Sequence, residues 1–88
     1  MANLTDEQKT EYKEHIFLGN SLYNEAKTAF RDGCLTIARQ KLDKALEHYK
    51  SAGNIVSGKS DIGTQNALDG IKKCNDLLAT IAEKNKHK

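Results

Sequence analysis

Apolar residues recur at alternating three- and four-residue steps along most of this 88-residue chain, and no proline interrupts them. This period places side chains on one face of an α-helix, whereas a half-buried strand needs a period of two. No stretch alternates with the shorter period over the length of a strand. The pattern therefore predicts an all-α fold, and the length favours a single domain over residues 1–88.

The first predicted helix spans about residues 5–32. Thr5 and Gln8 have the spacing of a capping box, in which each side chain satisfies a backbone N–H at the helix start. Gly33 ends the helix, because glycine readily adopts the left-handed backbone conformation that closes helices. The apolar and small residues of its inner face are Tyr12, Ile16, Gly19, Tyr23, Ala26 and Phe30.

Two further helices are predicted, over about residues 35–57 and 61–84, with Ser60 or Asp61 capping the third. Gly63 and Gly70 weaken the first half of the third helix, since glycine is a poor helix former. Connections this short make neighbouring helices run in opposite directions, so the expected architecture is an antiparallel three-helix bundle. The apolar stripes are Leu35, Ala38, Leu42, Ala45, Tyr49, Ala52 and Val56 on the second helix, and Ala67, Ile71, Cys74, Leu78 and Ile81 on the third.

Charge and composition argue against several partners. Fourteen basic and twelve acidic residues leave a formal net charge of +2, and acids interleave with lysines on the third helix, so no nucleic-acid partner is expected. No apolar run approaches the ~18 residues of a membrane-spanning helix, so no direct membrane insertion is expected. Residues 1–7 lack the basic and apolar stretches of a signal peptide, which favours a cytoplasmic setting.

Histidines and cysteines form no local arrangement that indicates chemistry. His15, His48 and His87 lie on different segments, and no other histidine stands four residues from His15 as in zinc proteases. Cys34 and Cys74 lie forty positions apart without a C-x-x-C motif. We therefore expect a solvated His48, reduced cysteines that serve as small packing residues, no metal, no cofactor and no enzymatic activity.

The first and third helices carry more apolar residues than their inner stripes require. These residues either thicken the core or line a groove, and the sequence leaves both possibilities open. In a groove the expected ligand is an amphipathic helix, whose Arg or Lys residues would meet carboxylates of the bundle. The candidate partner-binding residues are Phe17, Leu18, Leu22, Glu25, Ala29, Asp69, Asp76 and Leu77.

The second helix and its surroundings resemble MIT domains, the microtubule-interacting and trafficking modules. The family pattern has a glycine, then an alanine five positions later, then a core residue, and then a small residue followed by an aliphatic one. The resemblance extends over nearly the whole chain, from about residue 12 to residue 83. The residues that carry it are Ala26, Gly33, Ala38, Leu42, Ala45, Leu46, Cys74, Leu77 and Leu78.

The resemblance implies a monomeric adaptor that binds C-terminal tails of ESCRT-III subunits in the groove between helices two and three or in the groove between helices one and three. Such modules recruit a larger parent protein, an AAA ATPase or a trafficking factor, to endosomal and other remodelled membranes. Leu42 replaces the usual aromatic residue, and Ala79 stands where vacuolar-sorting ATPase members have an Asp that pairs with an Arg of the tail. The second difference favours the groove between helices one and three, as in spastin- and spartin-like members.

Two other interpretations remain open from the sequence. Ala38, Leu42 and Ala45 also fit half of a tetratricopeptide repeat, although no second repeat follows to bury the apolar face. A purely structural or oligomerising bundle is the other alternative. Light scattering distinguishes that alternative from an adaptor, because an oligomerising bundle self-associates whereas an adaptor remains monomeric.

Overall fold

A computed structural model describes residues 4–86, with side chains as far as residue 84. Helix α1 spans Asp6–Arg31, α2 spans Leu35–Val56 and α3 spans Asp61–Lys86. No strand occurs within residues 4–86, so the predicted all-α three-helix bundle is confirmed, with each helix end within two residues of its expected position. Over the same residues, no helix combines the length and the apolar character that crossing a membrane requires.

The helix ends follow from local sequence. The Thr5 hydroxyl accepts the backbone N–H of Gln8 at 3.0 Å, and the Gln8 side chain accepts the N–H of Thr5 at 3.0 Å, which confirms the capping box. Gly33 and Gly58 have φ angles of 83° and 74°, the left-handed region that disfavours other residues. The Ser60 hydroxyl accepts the N–H of Gly63 at 3.1 Å, so Ser60 caps α3.

Helix α2 is the middle element of the bundle. It packs against both other helices, and more extensively against α1, whereas α1 and α3 meet each other at few points. Small residues dominate the buried surface, so the helices approach closely and the bundle is slender, with extents of 52 × 17 × 14 Å. The buried apolar residues are Ala26 on α1, Ala38, Leu42, Ala45, Tyr49, Ala52 and Val56 on α2, and Ala67, Cys74 and Ile81 on α3.

Tyr49 is the largest fully buried side chain, and two glycines make room for its ring. A Cβ atom on Gly70 of α3 would lie 2.5 Å from the Tyr49 ring, and one on Gly19 of α1 would lie 2.9 Å from it. Both distances are far below van der Waals contact. The glycine that weakens α3 as an isolated helix is therefore required where α3 packs over the aromatic ring.

Candidate functional site

A groove runs between α1 and α3, because α2 holds these two helices apart. Two polar contacts cross it: the Tyr12 hydroxyl donates to the Gly63 carbonyl at 3.2 Å, and Lys73 Nζ donates to Asn20 Oδ1 at 3.3 Å. Each contact uses a long side chain to reach the opposite helix. The two helices are thus joined at separate points, and accessible surface remains between those points.

Tyr49 and Asn20 form the polar centre of this groove. The Tyr49 hydroxyl donates to Asn20 Oδ1, the same oxygen that Lys73 contacts. Burial, reinforced by neighbouring Cys74 and Tyr23, raises the pKa of Tyr49 to about 12. The phenol is therefore protonated at neutral pH, and it is the donor in its hydrogen bond to Asn20.

Towards the C-terminal end of α1, the groove becomes an apolar depression with cations above its aromatic rings. The ammonium of Lys73 lies 4.6 Å from the centre of the Tyr23 ring, and that of Lys84 lies 4.6 Å from the centre of the Phe30 ring. Such cation–π contacts are each worth about 0.5–1 kcal/mol at exposed sites. The residues that line the depression are Tyr23, Asn24, Lys27, Thr28, Phe30, Arg31 and Leu77.

Two carboxylates lie on the α3 side of the groove. Asp69 lines its central part beside Tyr49 and accepts a hydrogen bond from the side chain of Gln65 at 2.9 Å. Asp76 lies near Tyr23, since its charge adds to burial and to Cys74 in raising the pKa of that phenol. Both acids are exposed and one heptad apart, and Lys73, which lies between them in sequence, also borders the groove, so this edge of α3 carries charges of both signs.

The predicted partner-binding residues divide between two sides of α1. Asp69, Asp76 and Leu77 belong to the α1–α3 groove. Leu22 and Ala29 are partly buried and pack against the core cluster. The sequence allowed the surplus apolar residues either to thicken the core or to line a groove. Leu22 thickens the core, whereas Ala29 also lines a depression between α1 and α2 together with Glu25.

The remaining three predicted residues are exposed. Phe17 is 68% exposed and Leu18 is 41% exposed. Glu25 forms an ion pair with Lys41 of α2 at 3.1 Å, on the side of α1 that faces α2. The eight residues therefore do not share one surface, because they surround α1 on more than one side.

A second depression lies between α2 and α3, the other groove that the resemblance implies. Its apolar part includes Leu68, which is 53% exposed, and the partly buried Ile71. No carboxylate lines it among the described residues. Its lining residues are Lys50, Gly53, Asn54, Ser57, Thr64, Ala67, Leu68 and Ile71.

Sequence spacing did not identify the pair that His15 and His48 form across α1 and α2. Their Nδ1 atoms lie 3.0 Å apart, and both side chains are partly buried. This differs from the expectation of a solvated His48. No local pattern could have predicted the contact, because 33 positions separate the residues and only the packing register of the two helices joins them.

The two cysteines have different environments. Cys74 is fully buried, and burial raises the pKa of its thiol to about 11 against the opposing effect of Lys73. A thiol of this kind is inert at neutral pH. Cys34 is exposed at the start of α2. The expected packing role therefore describes Cys74 and is wrong for Cys34.

Within the described residues, no group of three or more His, Cys, Asp or Glu side chains is placed to hold a metal ion.

The chain matches no protein-family model, no curated protein and no solved structure. What distinguishes the bundle is its own geometry. An open groove between α1 and α3 combines an apolar floor with charged edges.

Proposed function

We propose that this chain is a protein-interaction adaptor whose α1–α3 groove binds a tail peptide of an ESCRT-III subunit. The proposal adopts the MIT-like role that the sequence implies, in which binding recruits a larger parent protein to membranes being remodelled. The observation that supports it best is the open α1–α3 groove beside a central α2. A groove between two helices is a common docking site for an amphipathic segment.

The chemistry of the groove favours a helical ligand with an apolar ridge and a basic flank. Tyr23, Phe30 and Leu77 offer apolar surface at the bottom of the depression. Asp69 and Asp76, spaced by two helical turns on α3, can each receive an Arg or Lys of a ligand that lies along the groove. Lys27 and Arg31 on α1 favour acidic residues on the opposite flank of the same ligand.

Amide chemical shifts during titration with ESCRT-III tail peptides test the proposal directly. We expect the largest shifts along α1 and α3 beside the groove, at sub-millimolar peptide. The double charge reversal Asp69→Lys with Asp76→Lys should weaken binding roughly five- to thirtyfold, since each exposed ion pair is worth about 0.5–1 kcal/mol. Asp43→Lys, at an exposed position on α2, is the matched control and should leave the affinity unchanged.

Three outcomes contradict the proposal. The first is the absence of any shift with every tail peptide, and the second is an equal loss of affinity in the Asp43 control. The third is a set of shifts centred on Leu68 and Ile71, which would place the ligand between α2 and α3. Concentration-dependent light scattering without peptide would favour the oligomerising bundle, for which the exposed Leu68 is the supporting observation.

A further inference from the structure

His15 and His48 form an isolated pair of imidazoles on the seam between α1 and α2. Their Nδ1 atoms lie 3.0 Å apart, their ring centres lie 5.3 Å apart, and the rings are tilted by 35°. Both side chains are partly buried, so water and small ions reach them while the helices hold their positions. The groove between α1 and α3 does not include either residue.

We propose that this pair is a binding site for a divalent transition-metal ion, held by Nδ1 of His15 and Nδ1 of His48. Imidazole nitrogens bind such ions at about 2.0–2.1 Å. Two nitrogens that bind one ion are therefore about 2.9 Å apart when the nitrogen–metal–nitrogen angle is a right angle, and about 3.3 Å apart when it is tetrahedral. The observed 3.0 Å lies inside this interval. Two ligand nitrogens on separate helices thus already lie at the separation that one ion requires.

Without metal, the same geometry is satisfied by one imidazole that donates its Nδ1–H to the Nδ1 lone pair of the other. Metal binding needs both lone pairs. The donating imidazole therefore adopts its other neutral tautomer, with the proton on Nε2. No net proton is released from the neutral pair.

The ligand set restricts which ion binds. Imidazole suits copper, nickel and zinc, and the near-right-angle spacing fits the tetragonal or octahedral geometry of Cu²⁺ and Ni²⁺. No third His, Cys, Asp or Glu of the described residues completes the site, so water occupies the other positions. A site of two imidazoles and several waters binds reversibly and holds α1 against α2 when it is filled.

Ni²⁺ is the appropriate probe, because Cu²⁺ also oxidises thiols and Cys34 is exposed. Calorimetry on the full chain at pH 7.5 should show one Ni²⁺ per chain, and excess Ni²⁺ should raise the thermal unfolding midpoint. His15→Gln and His48→Gln should each weaken binding at least tenfold and remove the thermal shift. His87→Gln, which changes the histidine outside the described residues, is the matched control and should behave as the parent chain does.

Paramagnetic broadening by Ni²⁺ gives a second measurement that needs no variant. Signals of His15 and His48 should broaden first in the parent chain. The proposal is overturned if no Ni²⁺ binds at millimolar concentration, if the two glutamine variants bind as tightly as the parent, or if broadening centres on Cys34 or His87. Because the site lies outside the α1–α3 groove, failure of peptide binding would not affect this result.

Discussion

Helix α1 meets α2 and α3 in two very different ways. Against α2 it packs through small residues, with Ala26 of α1 beside the fully buried Ala38, Leu42 and Ala45 in one cluster. Against α3 it makes few contacts, carried by long polar side chains that reach across a groove. Small side chains thus close one face of this bundle, while another face remains open. Alanines let the backbones of α1 and α2 approach, whereas α2 holds α1 and α3 apart and leaves Tyr23, Phe30 and Leu77 partly accessible.

Truncating one leucine on each face measures this difference. Leu42→Ala removes a fully buried side chain and should lower the free energy of unfolding by about 3 kcal/mol, because it leaves a cavity in a closed core. Leu77→Ala, at the partly exposed groove, should lower it by about 1 kcal/mol. Urea denaturation of both variants checks the values. Equal losses would show that the α1–α3 groove contributes as much packing as the α1–α2 seam.

A methyl group at Gly70 tests how tightly α3 closes over Tyr49. Gly70→Ala should destabilise the bundle by about 2 kcal/mol, since the new Cβ would lie 2.5 Å from the ring. Gly53→Ala is the matched control, because its Cβ would meet only the Ala67 Cβ at 3.4 Å and alanine favours helix by about 1 kcal/mol. Thermal denaturation of both variants distinguishes them. A stabilised Gly70→Ala variant would contradict the close approach.

Alkaline pH probes the same closure without mutation. The pKa of Cys74 rises from 9.0 to about 11 and that of Tyr49 from 10.0 to about 12 on folding, so the unfolded chain loses these protons first. Below pH 9 the free energy of unfolding does not depend on these two groups. Above that, it falls by about 1.4 kcal/mol per pH unit for each group, from pH 9 to 11 for Cys74 and from pH 10 to 12 for Tyr49. Denaturation curves at several pH values measure it.

Cys74→Ala separates the two groups. This variant should lose the part of the pH dependence that begins at pH 9. The part that begins at pH 10 should persist but end at a lower pH, because Cys74 also contributes to the raised pKa of Tyr49. An unchanged slope between pH 9 and pH 10 would mean that the Cys74 thiol is not protected by the packing of α2 and α3.

The smallest effect is expected at the ion pair between Glu25 and Lys41. These side chains are 53% and 34% exposed, respectively, so solvent screens the attraction and Lys41→Ala should cost less than about 0.5 kcal/mol. A double-mutant cycle with Glu25→Ala isolates the pair from other effects. A coupling energy above about 1 kcal/mol would show that charge as well as apolar packing holds α1 against α2.

Local sequence was sufficient for features that depend on neighbours along the chain. The capping box of Thr5 and Gln8, the left-handed turn at Gly33, and the stripe of α2 all act within one or two helical turns. These features form between residues close in sequence and do not depend on how the helices pack. The predicted helix bounds therefore agree with the structure.

The candidate site was less predictable, because it depends on how helices face one another. The expected binding residues omitted Tyr23 and Phe30, which line the groove with Leu77 and also pack against the core, and Lys73, which reaches across the groove. Hydrophobic periodicity indicates which residues share a helix face. It does not indicate whether the edge of that face meets a neighbouring helix or an open gap.

Hydrogen bonding within a helix and the apolar period act locally, so the three helices, their ends and most inward-facing residues follow from the amino-acid order alone. The central place of α2, the close approach of Gly70 to the Tyr49 ring and the contact between His15 and His48 arise from the packing of the helices. These results depend on rotation and register between helices. Many side chains fix that register together, and no short segment of the chain encodes it.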